Sequence, residues 1–113
     1  AVAATILIVD DEREIRELLR YNLERQGYQV LTAQDGEEGL QRIFATHPDL
    51  VLLDLLLPGL NGLEVLRELR QEPSTRDVPV VLLTARGAEM YVAFWVRAMG
   101  AVGSPEFNVK VVR

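Results

Sequence analysis

The chain has 113 residues, 49% of them hydrophobic and 26% charged, which reads as one folded domain with a real core and excludes a disordered segment. It carries no cysteine, so disulfides, thiol nucleophiles and cysteine zinc sites are out, as suits a cytoplasmic protein. A net charge of −5 argues against direct nucleic-acid binding by this domain, since phosphate binding calls for a basic face, and it is compatible with a divalent cation or a basic partner surface.

Ala1-Val2-Ala3-Ala4 lacks the charged start of a secretory leader and runs straight into Thr5-Ile6-Leu7-Ile8-Val9. That run is continuously apolar and bounded by Asp10-Asp11, the pattern of a strand buried on both faces of a parallel sheet. From Glu12 to Gln26 the residues Ile15, Leu18, Leu19 and Leu23 recur at helical spacing, and Gly27 supplies a stop. Tyr28 to Ala33 gives a second strand. Asp35-Gly36-Glu37-Glu38 opens a second helix with Leu40, Ile43 and Phe44 on its buried face, and Pro48 ends it. Leu50-Val51-Leu52-Leu53 is a third buried strand that delivers Asp54 at its C-terminal end. After a loop with Pro58-Gly59, Asn61 is an N-cap for a helix carrying Leu63, Leu66 and Leu69. Pro73 and Pro79 frame the connection to Val80-Val81-Leu82-Leu83, which ends at Thr84. Strands alternating with helices predict an α/β doubly wound parallel sheet with right-handed crossovers. Glu89 to Met99 has the length of a helix, yet Tyr91 to Val96 is apolar on every side. Phe107 to Val112 is short and strand-prone, and no closing helix follows it. No apolar run approaches the roughly 20 residues of a membrane span.

In open parallel sheets ligands bind outside the carboxyl ends of the strands, where the strand order reverses. Here those ends carry Asp10-Asp11, Asp54 and Thr84. Three converging carboxylates repel one another unless a hard cation joins them, and Mg²⁺ beside phosphate is the usual case. An Asp carboxylate can act as nucleophile toward a phosphoryl group, and the Thr84 hydroxyl could donate to a phosphoryl oxygen. Taken singly, each residue has a plainer reading: a strand-end Asp is a turn former or cap, Asp11 could cap the helix beginning near Glu12, and a strand-end Thr is structural. Their joint placement on three strand ends favours the site. His47 is a lone surface or capping residue, Gly59 and Gly62 belong to a turn, and no P-loop, HExxH or nucleophile elbow is present.

ILIVDDE at residues 6–12, PDLVLLDLLLPGLNGLEVL at 48–66 and PVVLLTARG at 79–87 resemble the receiver domains of bacterial two-component response regulators, most of all those preceding winged-helix DNA-binding domains. The resemblance covers about residues 5–87 and implies a flavodoxin-like sheet of order 2-1-3-4-5. By resemblance, Asp54 is the phosphoacceptor, and Asp10, Asp11 and the backbone carbonyl of Leu56 join it around Mg²⁺. Thr84 matches the hydroxyl that turns toward the phosphoryl group, and the phosphodonor would be a sensor histidine kinase. Such a domain catalyses only its own phosphorylation and dephosphorylation.

Residues 88–113 depart from the family pattern, in which Gly-Ala, two acidic residues, an aromatic and Lys-Pro follow the fourth helix. Gly100-Ala101 is present, but Val102-Gly103-Ser104-Pro105 comes next. One placement sets Ser104-Pro105 against Lys-Pro and removes the lysine. Another uses an insertion and matches Phe107 and Lys110 to the aromatic and the lysine. In a third, Gly103 to Phe107 resembles a cloning linker, so residues after about 102 carry no function. In each the family's final helix is missing, and the apolar stretch Tyr91–Val96 predicts self-association through 88–113, as a homodimer. The leading functional expectation is a phosphorylation switch on Asp54. The alternative is an interaction module, engineered or natural, that keeps the fold, self-associates and lacks the switch. A small phosphohydrolase with an Asp nucleophile is disfavoured, because Leu56 stands where such enzymes place a second Asp.

Overall fold

The computed structural model describes residues 3–83 and the backbone strand at 109–112. The expected helix at 89–99, the apolar stretch Tyr91–Val96, Thr84 and Phe107 all lie outside the described residues.

The elements run β1 (Thr5–Val9), α1 (Arg13–Arg25), β2 (Gln29–Ala33), α2 (Gly36–Thr46), β3 (Leu50–Asp54), α3 (Gly62–Gln71), β4 (Val80–Leu83) and β5 (Val109–Val112). All the strands pair in parallel, in the order β2-β1-β3-β4-β5. This is the doubly wound order expected from the sequence.

The continuous apolar runs are explained by burial on both faces. Successive residues of a strand point to opposite sides, and both sides are covered here. Ile6, Ile8, Leu50, Leu52, Val81 and Leu83 pack with Leu19 and Leu23 of α1. Leu7, Val9, Val51, Leu53, Val80 and Leu82 pack with Ile43 of α2 and Val65 and Leu69 of α3. Each such side chain, fully removed from water, contributes about 1.5–3 kcal/mol.

Helix ends follow the local chemistry. Asp35 and Asn61 accept from the backbone N–H groups of Glu38 and Glu64 and cap α2 and α3. Gly27, at φ +97°, takes the left-handed turn that stops α1. His47 is the exposed C-cap of α2, as a capping role requires, and its N–H donates to Ile43 O at 2.9 Å.

Two expectations need correction. Phe44 is 38% exposed rather than on the buried face of α2. That helix seats its Gly36–Gly39–Ile43 line inward, with Gly39 against the Val9 side chain, and this rotation turns Phe44 to solvent. Asp11 does not cap α1: the N-cap is Glu12, whose side chain makes no capping bond, and the Asp10 carboxylate reaches the Glu12 N–H instead.

Candidate functional site

The chain leaves β1 for β2 on one side and later enters β3 on the other, so the order reverses between β1 and β3. Val9 pairs with Leu53, so the next residues, Asp10 and Asp54, stand level at the carboxyl ends of these adjacent strands. Carboxylate oxygens of Asp10, Asp11 and Asp54 all lie within 4.8 Å of one another. Asp10 is buried at 6% exposure, Asp54 is half-buried and Asp11 is exposed, so the cluster runs from the core out to solvent.

Backbone contacts orient these groups. Asp10 N–H continues the sheet by donating to Ala33 O at 3.1 Å, and Asp10 Oδ1 accepts from Glu12 N–H at 2.8 Å. Asp54 Oδ1 accepts from Leu56 N–H at 3.0 Å, which ties the carboxylate to the loop that follows β3. That loop is fixed on its inner side by Leu57, which is buried, while the Leu56 side chain is 74% exposed. Gly62, the first residue of α3, donates its N–H to Leu55 O at 3.1 Å. At the other end of the loop the carbonyl oxygen of Leu60 touches Gly36, where no side chain would fit.

Burial pushes the Asp10 carboxyl up to about 6, helped by the negative charges of Asp54, Asp11 and Glu12 and opposed by the Glu12 hydrogen bond. A carboxylate held in that state gains from any cation that joins it. Three oxygen donors, all carboxylates, form the set a hard divalent ion prefers, and Mg²⁺ fits them.

Of the remaining predicted site residues, only the backbone of Lys110 is described. Thr84, next after Leu83, which pairs with Asp54, lies outside the described residues. Lys110 is paired with Val81, two residues short of the Leu83–Val112 pair that is level with Asp54, so its backbone is not brought to the acidic edge. The sequence reading missed Arg16, whose Nη1 donates to the Asp10 carbonyl oxygen at 2.8 Å. No motif signals a bond from a helix side chain to a carbonyl six residues earlier.

A family model described as the response regulator receiver domain matches residues 6–104. The alkaline phosphatase synthesis transcriptional regulatory protein PhoP of Bacillus subtilis is 51% identical over 84 residues, covering 74% of this chain and 34% of that protein. The phosphate regulon transcriptional regulatory protein PhoB of Rhizobium meliloti is 44% identical over 105 residues, covering 93% of this chain and 44% of that protein. The chain thus spans less than half the length of these curated relatives. Among solved structures, the response regulator TrrA of Thermotoga maritima in complex with Mg²⁺-BeF superposes with a TM-score of 0.72 at 38% identity, over 97% of this chain and 86% of that one.

Proposed function

Because the chain belongs to the response regulator receiver domain family, we propose that it takes a phosphoryl group on Asp54, with Mg²⁺ held by Asp10, Asp11, Asp54 and the Leu56 carbonyl. Receiver domains of two-component response regulators act as phosphoacceptors and switches, bind Mg²⁺ at an acidic pocket and are phosphorylated by sensor histidine kinases. The observation that carries the residue assignment is the meeting of three carboxylates within 4.8 Å at the reversal of strand order.

In the proposed reaction an Asp54 carboxylate oxygen attacks phosphorus, the bond from phosphorus to the kinase imidazole nitrogen breaks, and neutral histidine leaves once protonated. Hydrolysis of the acyl phosphate returns the carboxylate and inorganic phosphate. When bound, Mg²⁺ neutralises charge on the transferring oxygens. The protein supplies positioning: the Leu56 N–H holds Asp54 Oδ1, and the Asp10 carboxylate is anchored by the Glu12 N–H.

Thr84 enters the proposal as the hydroxyl that reports the phosphoryl group, on its place after the residue paired with Asp54. Lys110, the chain's only lysine, enters on sequence grounds. A Lys110→Ala variant phosphorylated like wild type removes it. Homodimerisation through 88–113 is likewise part of the proposal, and a monomer by light scattering at high micromolar concentration removes that. The domain is read as the receiver portion of a cytoplasmic transcription regulator, from the relatives it matches. Among its described residues no helix is long and apolar enough to cross a membrane. An interaction module without the switch is not favoured by the family match.

The deciding experiment is incubation with acetyl phosphate and Mg²⁺ followed by intact mass measurement. One added phosphoryl mass is expected, absent without Mg²⁺ and absent in Asp54→Asn. An unmodified wild-type chain, or a modified Asp54→Asn chain, overturns the assignment.

A further inference from the structure

Of the three carboxylates, Asp11 is the one the fold holds least directly. Asp10 is buried and bonded to Glu12, and Asp54 is bonded to Leu56. Asp11 is exposed, and no hydrogen bond among the described residues engages its side chain. Its place within 4.8 Å of the others is therefore set by the course of the backbone as it leaves β1.

That course is fixed at the Asp10–Asp11 peptide. The torsion ψ of Asp10 sets both where its carbonyl oxygen points and where the next residue begins. Rotating the carbonyl thus swings the Cα and carboxylate of Asp11. The guanidinium of Arg16 takes hold of this carbonyl, donating from Nη1 at 2.8 Å in a half-buried position. Arg16 is itself locked into the first turn of α1 by its own N–H, which donates to Glu12 O at 3.1 Å. Helix, guanidinium, peptide and strand end make a closed loop of contacts around the bend that presents Asp11.

We infer that Arg16 is a positioning residue for the metal, which by clasping the Asp10 carbonyl fixes the exit of the chain from β1 and keeps the Asp11 carboxylate in the cluster. The inference rests on the Mg²⁺ reading of that cluster given above.

Charge and position predict opposite signs, which makes the idea testable. Arg16 is a cation near a cation site, so by charge alone its removal would tighten Mg²⁺ binding a few-fold at low salt. If its work is to place Asp11, removal weakens binding, by roughly 10-fold or more, as loss of groups that orient metal ligands does.

The experiment is calorimetric titration of the chain with MgCl₂ at low ionic strength, for wild type, Arg16→Met, Arg16→Lys, Asp11→Asn and the double variant Arg16→Met/Asp11→Asn. Methionine keeps most of the apolar stem and drops the donor, and lysine restores a donor with the same charge. Thermal unfolding without Mg²⁺ is followed in parallel. Expected are roughly 10-fold weaker binding in Arg16→Met, substantial recovery in Arg16→Lys, and no further loss in the double variant beyond Asp11→Asn. The metal-free midpoint should move far less than the Mg²⁺-induced rise in midpoint. Unchanged or tighter binding in Arg16→Met overturns the role of Arg16 alone, as does full additivity in the double variant. Should Arg16→Met not fold, Arg16→Gln decides, because its shorter amide falls short of the Asp10 carbonyl: a variant that folds without Mg²⁺ and binds it as tightly as wild type overturns the inference. A wild-type chain that binds no Mg²⁺ overturns the reading of the cluster itself, and this inference with it.

Discussion

A Cβ on Gly62 would stand 2.5 Å from the carbonyl oxygen of Asp54 and 2.8 Å from the Cα of Leu55, so the first turn of α3 rests directly on the backbone of the proposed phosphoacceptor. Both obstacles are main chain and cannot swing aside. Gly62→Ala must push α3 outward or displace the Asp54–Leu55 peptide, at a cost of about 1–3 kcal/mol. Urea unfolding should show that loss, and Mg²⁺ titration should show weaker binding. Gly59 gives the contrast: its φ is +68° and nothing lies within 4 Å of a Cβ there. Gly59→Ala should cost about 1–2 kcal/mol by backbone strain, and Gly59→Asn less, because Asn visits that conformation. A Gly62→Ala chain as stable as wild type would contradict the close approach.

The Asp10 carboxyl, raised by burial from 3.8 to about 6, makes a signed prediction about pH. Between those two values the folded chain holds a proton that the unfolded chain has released. Stability from this group is therefore fully present below pH 3.8 and is lost as pH rises through about 6. Metal-free wild type should gain stability, relative to Asp10→Asn, on acidification from pH 7.5 to 5. Mg²⁺ runs the other way, since it needs the carboxylate: affinity should fall by up to about tenfold per pH unit below 6 and level off above it. Paired melting curves of wild type and Asp10→Asn, with and without Mg²⁺, check both slopes. Parallel curves across that pH range would remove Asp10 as the titrating group.

Much of the fold was legible because a strand covered on both faces must be apolar at every position, as Ile6–Val9, Leu50–Leu53 and Val80–Leu83 are. Aspartates directly after two such runs fall on one sheet edge once the strands are parallel, so the juxtaposition of Asp10 and Asp54 followed from topology. Phe44 was not legible, since an apolar residue beside Leu40 and Ile43 reads as core until the glycine contact against Val9 sets the rotation of α2. Gly36 reads as part of a helix start and Gly62 as a turn residue, yet the structure uses them as flat surfaces against Leu60 and Asp54. Arg16 left no sequence signal, because its partner is a carbonyl that every residue possesses.

Thr75 closes the far end of α3. It is 2% exposed, and its hydroxyl donates to Leu69 O at 2.8 Å, occupying one of the carbonyls that a helix C-terminus leaves open. Thr75→Val keeps the shape and removes the donor, leaving that carbonyl short of a partner for about 1–3 kcal/mol. Thr75→Ser should retain most of the stability. Equal urea midpoints for Thr75→Val and wild type would show that the bond contributes nothing.

His47 is the one described non-glycine residue at positive φ, at 48°, and it pays for that conformation at an exposed position before Pro48. The fold needs the left-handed turn there, because α2 must stop and the chain must return to β3, where Asp49 N–H meets Thr5 O at 2.8 Å. It does not need an imidazole for that turn: His47 closes the helix through its backbone bond to Ile43, which any residue but proline can make. Glycine takes the same conformation without a Cβ penalty, although it also gives the unfolded chain more freedom, which offsets part of the gain. The balance favours the variant: His47→Gly should raise stability by roughly 0.5–1 kcal/mol. Mg²⁺ affinity and phosphorylation should be unchanged, since α2 ends at the opposite end of the sheet from the three aspartates. His47→Val, with branching at Cβ, should lose stability instead. A destabilised His47→Gly chain would mean that the imidazole makes a contact in solution which the backbone geometry alone does not require.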